Sequence, residues 1–256
     1  MPRLPVQAST TSRLLALALA AGFAVSFATE ASAGDERAGE RRAMVEEVAA
    51  EARATRSYTG RGSFSERVMA AMEKVPRHRF VPDAWAGAAY ENRPLPIGEG
   101  QTISQPYIVA LSTELLDPGP DDVMLEVGTG SGYQAAVLAE LVREVWSIEI
   151  VEPLGREAAR LLEELGYDNV AVKIGDGYQG WPEKGPFDGI VVTAAAPEVP
   201  APLIEQLKPG AKMVIPVGPR FAEQELLLIE KRADGGITRR TILPVRFVPL
   251  TREADR

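Results

Sequence analysis

Short apolar runs alternate with stretches of helical periodicity over the second half of the chain. Runs rich in Val, Ile and Leu predict strands, because each run is too short for a buried helix. These strands span 123–128, 145–150, 170–174, 188–193, 212–217, 225–231 and 243–248. Apolar residues at helical spacing predict helices over 133–143, 153–165 and 199–207. This alternation favours an α/β fold with a doubly wound, mainly parallel seven-stranded sheet and right-handed crossovers.

Two turn sequences refine the end of this predicted sheet. Lys208-Pro209-Gly210 is interpreted as the exit of the last helix before the fifth strand. Asp234-Gly235-Gly236 marks a turn, and no helical pattern separates the last two strands. We therefore expect these two strands to form an antiparallel pair at one edge of the sheet.

The region before the sheet reads as an N-terminal helical extension. Four apolar residues share one face of a predicted amphipathic helix: Met44, Val45, Val48 and Ala52. Ser63-x-x-Glu66 predicts a capping box for a second helix, which runs through Lys74. We expect residues 34–105 to form a helical and loop region, and residues 106–256 to form the main α/β core.

The first residues resemble a targeting segment rather than part of the fold. A basic start precedes an apolar run over 14–28 and the small-x-small sequence Ala31-Ser32-Ala33. This order is typical of a secretory signal peptide over residues 1–33, which predicts export to a periplasm. The apolar run is too short for a membrane span, so no membrane association is expected after signal removal. The alternative is a cytosolic chain whose translation starts at Met44.

Composition narrows the chemistry that the chain can perform. The formal net charge is −8, whereas a nucleic-acid binder needs a basic face, so no nucleic acid is expected as a partner. The absence of cysteine excludes disulfides and thiol nucleophiles. The single histidine, His78, argues against a His-rich metal centre and a His-based triad, and no metal is expected. We interpret His78 as a surface residue.

The first predicted strand runs into the motif Gly128-x-Gly130-x-Gly132, and a helix follows. This order places a ligand at the carboxyl end of the strand, against a helix N-terminus. Glu149 ends the next apolar run, where an acid can accept hydrogen bonds from both hydroxyls of a ribose. Glu126 is a second acid, inside the first strand. The alternative is a tight turn without a ligand, in which glycine only supplies a positive φ.

Residues 95–106 form a second segment whose composition is not explained by a purely structural role. Glycine, proline, hydroxyl and amide residues are concentrated there, and a polar yet stiff loop suits a substrate site. Within it, the hydroxyl of Ser104 is placed to orient a substrate group. The alternative for Ser104 is an N-cap of the helix predicted over 106–116.

These two segments resemble those of known enzymes. Gly128-x-Gly130-x-Gly132 resembles the first motif of class I S-adenosylmethionine-dependent methyltransferases. Residues 95–106 resemble the signature loop of the protein-L-isoaspartate (D-aspartate) O-methyltransferase family. Further stretches similar to that family are 175–177, 186–195 and 245–250. The resemblance spans residues 64–250 and departs at Glu99, where glutamine is expected.

The resemblance implies an activity and a set of partners. The activity is methyl transfer from S-adenosyl-L-methionine to the free carboxylate of L-isoaspartyl and D-aspartyl residues. The partners are damaged proteins and peptides that contain isoaspartate, and repair proceeds through a methyl ester and a succinimide. The family is mostly cytoplasmic, in conflict with the signal-like start, and a monomer is expected.

The resemblance also implies the site. Ser104 is the implied catalytic residue. The implied substrate-binding residues are Ile97, Gly98, Thr102, Ile103 and Ser104. The implied cofactor-binding residues are Glu126, Gly128, Gly130, Gly132, Glu149, Asp176 and Thr193.

Several of these residues keep a second interpretation. Asp176 follows the third strand and can accept from an adenine amino group, or it can close an Asx-turn between two glycines. Thr193 ends the fourth strand, where it can touch cofactor or substrate. Tyr133 and Trp181 are interpreted as packing residues.

Two other functions stay open at this stage. One is an S-adenosylmethionine-dependent methyltransferase that acts on a small molecule. The other is an inactive module that only binds the cofactor. The intact glycine motif, Glu149 and Ser104 argue against an inactive module.

Overall fold

The computed structural model describes residues 1–2, 37–220 and 222–252. The predicted signal peptide, residues 1–33, therefore lies outside the described residues except for its first two. The chain divides into two units, Met1–Gly39 and Glu40–Arg256, and the fold below is that of the second unit. Among the described residues, no helix has both the length and the apolar character needed to cross a bilayer.

Helices come first in the described part of the chain, helices and strands alternate through its middle, and strands come last. The helices are α1 (Ala38–Ala54), α2 (Arg56–Thr59), α3 (Glu66–Lys74), α4 (Pro106–Leu116), α5 (Tyr133–Ala139), α6 (Glu152–Glu164) and α7 (Ala201–Glu205). Short 3-10 helices cover Arg77–Phe80, Asp83–Ala88 and Gly177–Gln179. The strands are β1 (Leu95–Gly98), β2 (Gln101–Ile103), β3 (Val123–Val127), β4 (Glu144–Glu149), β5 (Val170–Ile174), β6 (Phe187–Val192), β7 (Leu207–Val217), β8 (Gln224–Lys231) and β9 (Ile237–Val245).

The last seven strands form one sheet in the order β5-β4-β3-β6-β7-β8-β9. β3 to β7 are parallel, whereas β8 runs antiparallel to both of its neighbours. The predicted doubly wound, mainly parallel sheet with antiparallel strands at one edge is confirmed. Because the strand order reverses at β3, a crevice opens at the carboxyl end of that strand. β1 and β2 form a separate antiparallel hairpin.

Both faces of the sheet are buried, as expected for parallel strands covered by helices. Successive residues of β3 alternate between two apolar clusters: Met124 belongs to one and Leu125 to the other. Ile190 and Val191 alternate in the same way on β6. The predicted apolar face of α1 is confirmed, since its buried residues are Met44, Val48 and Ala52.

The last helix and the strand after it differ from the prediction. α7 ends at Glu205 and β7 begins at Leu207, so Lys208-Pro209-Gly210 lies within a strand and not at a helix exit. The register with β6 shifts across this segment, and Gly210 adopts a φ of +86° there. An irregular strand uses the same residue types as a turn, so the local sequence did not distinguish them.

The final strand was predicted over 243–248 but is Ile237–Val245. It starts directly after the predicted turn, where Arg232 N donates to Gly236 O at 2.8 Å. Residues 238–241 are exposed, and their polar side chains concealed the strand from a search for apolar runs. The extent of this strand is decided by its pairing with β8, which is a tertiary contact.

Two helix ends also need correction. The capping box at Ser63 is wrong: the N-cap of α3 is Ser65, whose side chain accepts from Val68 N. Ser65 precedes Glu66 directly, so its hydroxyl meets the first free amides of the helix. α5 ends at Ala139 and not at 143.

Candidate active site

The glycine motif forms a tight turn at the carboxyl end of β3. Gly128 has a φ of +99°, and a Cβ atom there would lie 2.4 Å from Oγ1 of Thr193. That hydroxyl donates to the Gly128 carbonyl. Glycine therefore allows the turn to approach the residue that follows β6, and Thr193 holds it there. Gly132, with a φ of +90°, is the N-cap of α5.

Glu149, the last residue of β4, reaches this turn. Its Oε2 atom accepts a hydrogen bond from Gly130 N at 2.8 Å, and its Oε1 atom accepts one from Val151 N at 2.8 Å. Each oxygen keeps capacity for a further donor. The structure thus brings the predicted acid and the glycine motif together, although they are distant in sequence.

A first cavity opens beside this turn. Its wall includes Gly128, Gly130, Glu149, Gly177, Thr193 and Leu250. The cavity lies at the carboxyl ends of β3, β4 and β6, which is where open α/β sheets bind ligands. The position agrees with the location expected from the order of strand, glycine turn and helix.

Glu126 lines the same cavity and is fully buried. It accepts a hydrogen bond from Ser147 Oγ, whereas its Oε1 atom has no hydrogen-bond partner among the described residues. Burial raises the pKa of the carboxyl to about 8; the Ser147 hydroxyl and the Ala135 amide oppose this shift, and the charge of Glu149 adds to it. At pH 7 the group is therefore mostly protonated.

Replacing Glu126 by glutamine should change how stability depends on pH. The pKa of about 8 in the folded chain lies above the reference value of 4.5, so between these values the folded chain holds a proton that the unfolded chain loses. The stability from this group is complete below pH 4.5 and is lost as pH rises through about 8, by at most about 1.4 kcal/mol per pH unit. Urea unfolding at two pH values, near 5 and near 8, should show a smaller loss in the variant than in the wild type.

The control for this measurement is Glu152→Gln, because Glu152 lies on α6 in an exposed pair with Arg156. Glu152→Gln should keep the wild-type dependence on pH. If Glu126→Gln also kept it, the assignment of a protonated buried carboxyl would be wrong.

A second cavity adjoins the first. Its wall includes Glu51, Tyr107, Leu243, Arg246 and Phe247. The residues that line both cavities are Thr102, Ser104, Thr193 and Val248. A group bound in one cavity can therefore meet a group bound in the other at these four residues.

Ser104 follows β2 and precedes α4, yet it does not cap that helix. The N-cap residue is Gln105, which makes no side-chain cap hydrogen bond. Asn92 supplies the acceptor, since its Oδ1 atom accepts from Tyr107 N at 3.0 Å. The Ser104 hydroxyl forms no hydrogen bond within the described residues, and its carbonyl accepts from Arg77 Nη2 at 2.8 Å. The hydroxyl is thus available to a ligand.

The remaining residues of the predicted substrate loop occupy different places. Thr102 lines both cavities, and Ile103 lines only the first. Ile97 instead faces a small neighbouring pocket against Gly130 and Phe80. Gly98, with a φ of +94°, helps to form the turn between β1 and β2.

Asp176 forms the turn that was its second interpretation. Its Oδ1 atom accepts from Tyr178 N at 2.9 Å, and its neighbour Gly177, not Asp176 itself, belongs to the cavity wall. Trp181 packs edge-on against Trp146. His78 is partly buried, shares a hydrogen bond with Tyr90 and lines neither cavity.

The C-terminal segment was not assigned a role from sequence, although it forms part of both cavities. Ala195 N donates to Val248 O, and Leu250 N donates to Ala195 O, both at 2.8 Å. These bonds hold residues 246–251 across the end of β6. The sequence match at 245–250 marked the segment, but no local pattern indicated where it would lie.

The first cavity fits S-adenosylmethionine. A carboxylate at the end of β4 suits a ribose, and the glycine turn permits close approach of a ligand. Glu126 Oε1 is a buried polar atom without a partner in the part of the chain that the structure describes. No group of three or more His, Asp or Glu side chains suited to a metal occurs in the described part of the chain. Fold and cavity together define a class I S-adenosylmethionine-dependent methyltransferase.

Comparison with known proteins gives the family. The sequence profile of the protein-L-isoaspartate(D-aspartate) O-methyltransferases matches residues 55–255. A protein-L-isoaspartate O-methyltransferase 1 of Cupriavidus necator is 57% identical over 247 residues, which cover 96% of this chain and 95% of that protein. A protein-L-isoaspartate O-methyltransferase 2 of Polaromonas sp. is 61% identical over 208 residues, 81% of this chain and 99% of that protein. The chain therefore belongs to the protein-L-isoaspartate(D-aspartate) O-methyltransferase family.

Solved structures agree with this assignment. A protein-L-isoaspartate O-methyltransferase superimposes with a TM-score of 0.71 at 30% identity, over 82% of this chain and 65% of that chain. A Plasmodium falciparum homologue in complex with S-adenosyl-L-homocysteine superimposes with a TM-score of 0.64 at 27% identity, over 74% of this chain and 92% of that chain. The chain is thus an S-adenosylmethionine-dependent methyltransferase.

Proposed function

We propose that this enzyme methylates the free carboxylate of L-isoaspartyl and D-aspartyl residues in damaged proteins and peptides, and that Ser104 aligns that carboxylate. The resulting methyl ester closes to a succinimide, which reopens toward normal aspartate and so initiates repair. One observation carries the assignment of Ser104: it lines both cavities, and its hydroxyl has no other partner within the described residues.

The first cavity is proposed to hold S-adenosylmethionine, which supplies an electrophilic methyl group when bound. Glu149 would accept from the ribose hydroxyls while it holds the glycine turn through Gly130 N. The glycine residues Gly128, Gly130 and Gly132 would let the backbone approach the methionine end. Glu126 would interact with the cofactor through Oε1. Thr193 would shape the first cavity where that cavity meets the second. Asp176 lies next to the cavity wall at Gly177 and would reach the adenine from there, through the carboxylate oxygen that the Tyr178 amide does not occupy.

The second cavity is proposed to hold the peptide. A substrate carboxylate, with a free pKa near 4, is already ionised at neutral pH and needs no general base. The protein instead has to align the carboxylate and exclude water from it. A neutral hydroxyl such as that of Ser104 is suited to this task, because a cation would stabilise the ground state too strongly. Thr102 and Ile103 flank it, and Ile97 and Gly98 would support the hairpin that carries it.

The reaction can be tested with matched peptides. The purified protein is incubated with cofactor labelled in the methyl group and with an isoaspartyl peptide or its aspartyl twin. Label that enters only the isoaspartyl peptide, and that mild base releases, is the expected result. Equal labelling of both peptides, or labelling of small-molecule acceptors alone, would overturn the substrate assignment. Cofactor binding without transfer to any acceptor would indicate an inactive module.

The organisation of the chain is also a proposal. Residues 34–105 would form the helical and substrate-loop region, and residues 106–256 the cofactor-binding core. The isolated chain would act as a monomer, without nucleic acid or membrane as a partner. N-terminal sequencing of the native protein decides the compartment: a start at Gly34 indicates a removed signal peptide and a periplasmic enzyme, whereas a start at Met44 indicates a cytoplasmic one.

A further inference from the structure

Arg77 is a fully buried arginine outside both cavities. Its Nε atom donates to Ala89 O at 2.8 Å, and its Nη2 atom donates to Ser104 O at 2.8 Å and to Arg93 O at 3.4 Å. Three chain segments therefore meet at one guanidinium. One of the three acceptors is the carbonyl of the proposed catalytic residue.

No carboxylate pairs with this guanidinium in the described part of the chain. Buried charges usually have an opposite charge beside them, because an unpaired ion is costly to remove from water. Here backbone carbonyls accept from Nε and Nη2, and the ring centre of Tyr133 lies 4.7 Å from the guanidinium carbon, whereas Nη1 is buried without a hydrogen-bond partner among the described residues. Burial accordingly lowers the pKa of Arg77 to about 10, which still leaves it charged at neutral pH. A fold that only needed packing would place an apolar residue here at lower cost.

We propose that Arg77 is the positioning residue of the active site, which sets the orientation of Ser104 relative to the cofactor turn. The Nη2 atom of the guanidinium fixes the Ser104 carbonyl. Because the peptide unit is planar and trans, this contact also turns the Gln105 amide to the opposite side, away from Arg77. The peptide unit that follows the Ser104 side chain is thereby held.

The other contact of Arg77 reaches the cofactor side. Tyr133 is the first residue of α5, directly after the glycine turn, and it lines the first cavity. One rigid group therefore touches both the residue that would align the carboxylate and the helix that begins at the cofactor turn. A displacement of about 1 Å between reacting groups can cost a hundredfold in rate, so such a connection has a direct consequence for turnover.

Lysine at position 77 keeps the charge but loses the planar fork. Arg77→Lys should lower kcat for the isoaspartyl peptide about tenfold and leave cofactor affinity within a factor of about three. The control is Arg67→Lys, because Arg67, although exposed, also donates to two backbone carbonyls, Pro118 O and Leu141 O, each at 2.9 Å, away from both cavities. Arg67→Lys should lose stability but keep kcat.

A double-mutant cycle separates positioning from general support of the fold. If Arg77 acts through Ser104, Arg77→Lys combined with Ser104→Ala should be no slower than the slower single variant. If the two rate losses multiply instead, Arg77 does not act through Ser104 and the proposal is overturned.

Hydrogen exchange provides a readout that needs no substrate. Peptides that cover residues 101–108 should exchange faster in Arg77→Lys than in the wild type, and should be unchanged in Arg67→Lys. The positioning role rests on the proposed function of Ser104, but this measurement distinguishes the two. A wild type that fails to methylate isoaspartyl peptides contradicts the proposed function, while unaltered exchange in Arg77→Lys contradicts the role of Arg77.

Whether each variant folds is tested before the other measurements. Arg77→Gln, which can still donate to a carbonyl, serves as a second variant if Arg77→Lys does not fold, and it should show the same loss of kcat and the same faster exchange. If neither variant folds while Arg67→Lys does, Arg77 is a determinant of folding and the positioning role is rejected.

Discussion

Ser104→Ala should turn over isoaspartyl peptide one to two orders of magnitude more slowly and bind cofactor normally. The lost interaction is one hydrogen bond to a charged carboxylate, roughly 1–3 kcal/mol, which corresponds to this range of rates. The pH profile should keep its shape, because no titrating base is removed. Melting temperature should hardly change, since the hydroxyl caps no helix and has no partner within the described residues. Turnover, calorimetric titration of the cofactor and thermal unfolding on one preparation test all these points.

A serine that does cap a helix supplies the control. Ser65 is the N-cap of α3, and its side chain accepts from Val68 N. Ser65→Ala should lose about 1 kcal/mol of stability and methylate at the normal rate. The opposite pattern in Ser104→Ala, lower stability with full turnover, would remove Ser104 from the catalytic role.

Glu149→Gln should weaken cofactor affinity about tenfold to a hundredfold. A charged acceptor for two ribose hydroxyls is replaced by an amide, and hydrogen bonds to charged groups contribute about 1.5–3 kcal/mol. The structure adds an expected cost in stability, because the two carboxylate oxygens accept from Gly130 N and Val151 N. Glutamine must turn its NH2 group toward one of these amides, so a loss of about 1 kcal/mol in unfolding free energy is expected. Calorimetric titration and urea unfolding measure the two effects separately.

Glu144→Gln is the matched control on the same strand. Glu144 begins β4 and Glu149 ends it, so the two acids lie at opposite ends of the same strand. Glu144→Gln should bind cofactor like the wild type. Equal affinities in Glu149→Gln and Glu144→Gln would show that Glu149 does not contact the cofactor.

The proposed reaction centre combines segments that are far apart in the chain. Ser104 comes from the hairpin segment, Thr193 from the end of β6, and Val248 from the C-terminal segment. Each lies at the boundary of the two cavities, so the alignment of substrate and cofactor depends on how well these segments are held. The hydrogen bonds of Arg77 to Ser104 O and of Ala195 N to Val248 O hold two of these segments.

The sequence by itself determined the parts of this protein that depend on neighbouring residues. The apolar run of β3, the glycines after it and the helical spacing of α5 predict a strand, a turn and a helix, because each element is specified by local periodicity and by backbone freedom. The sequence also predicted that Glu149 lies near the glycine turn, because neighbouring parallel strands have their carboxyl ends on the same side of the sheet.

Only the tertiary structure decided the contacts between distant segments. β9 extends over the polar residues 238–241 because β8 pairs with them. Asn92, and not Ser104, caps α4 because its loop folds back onto that helix. Arg77 directly precedes His78 and Arg79 along the chain and resembles a surface residue, yet it is buried because three carbonyls converge on it. Local propensity carries no information about such partners, since they are brought together only when the whole core packs.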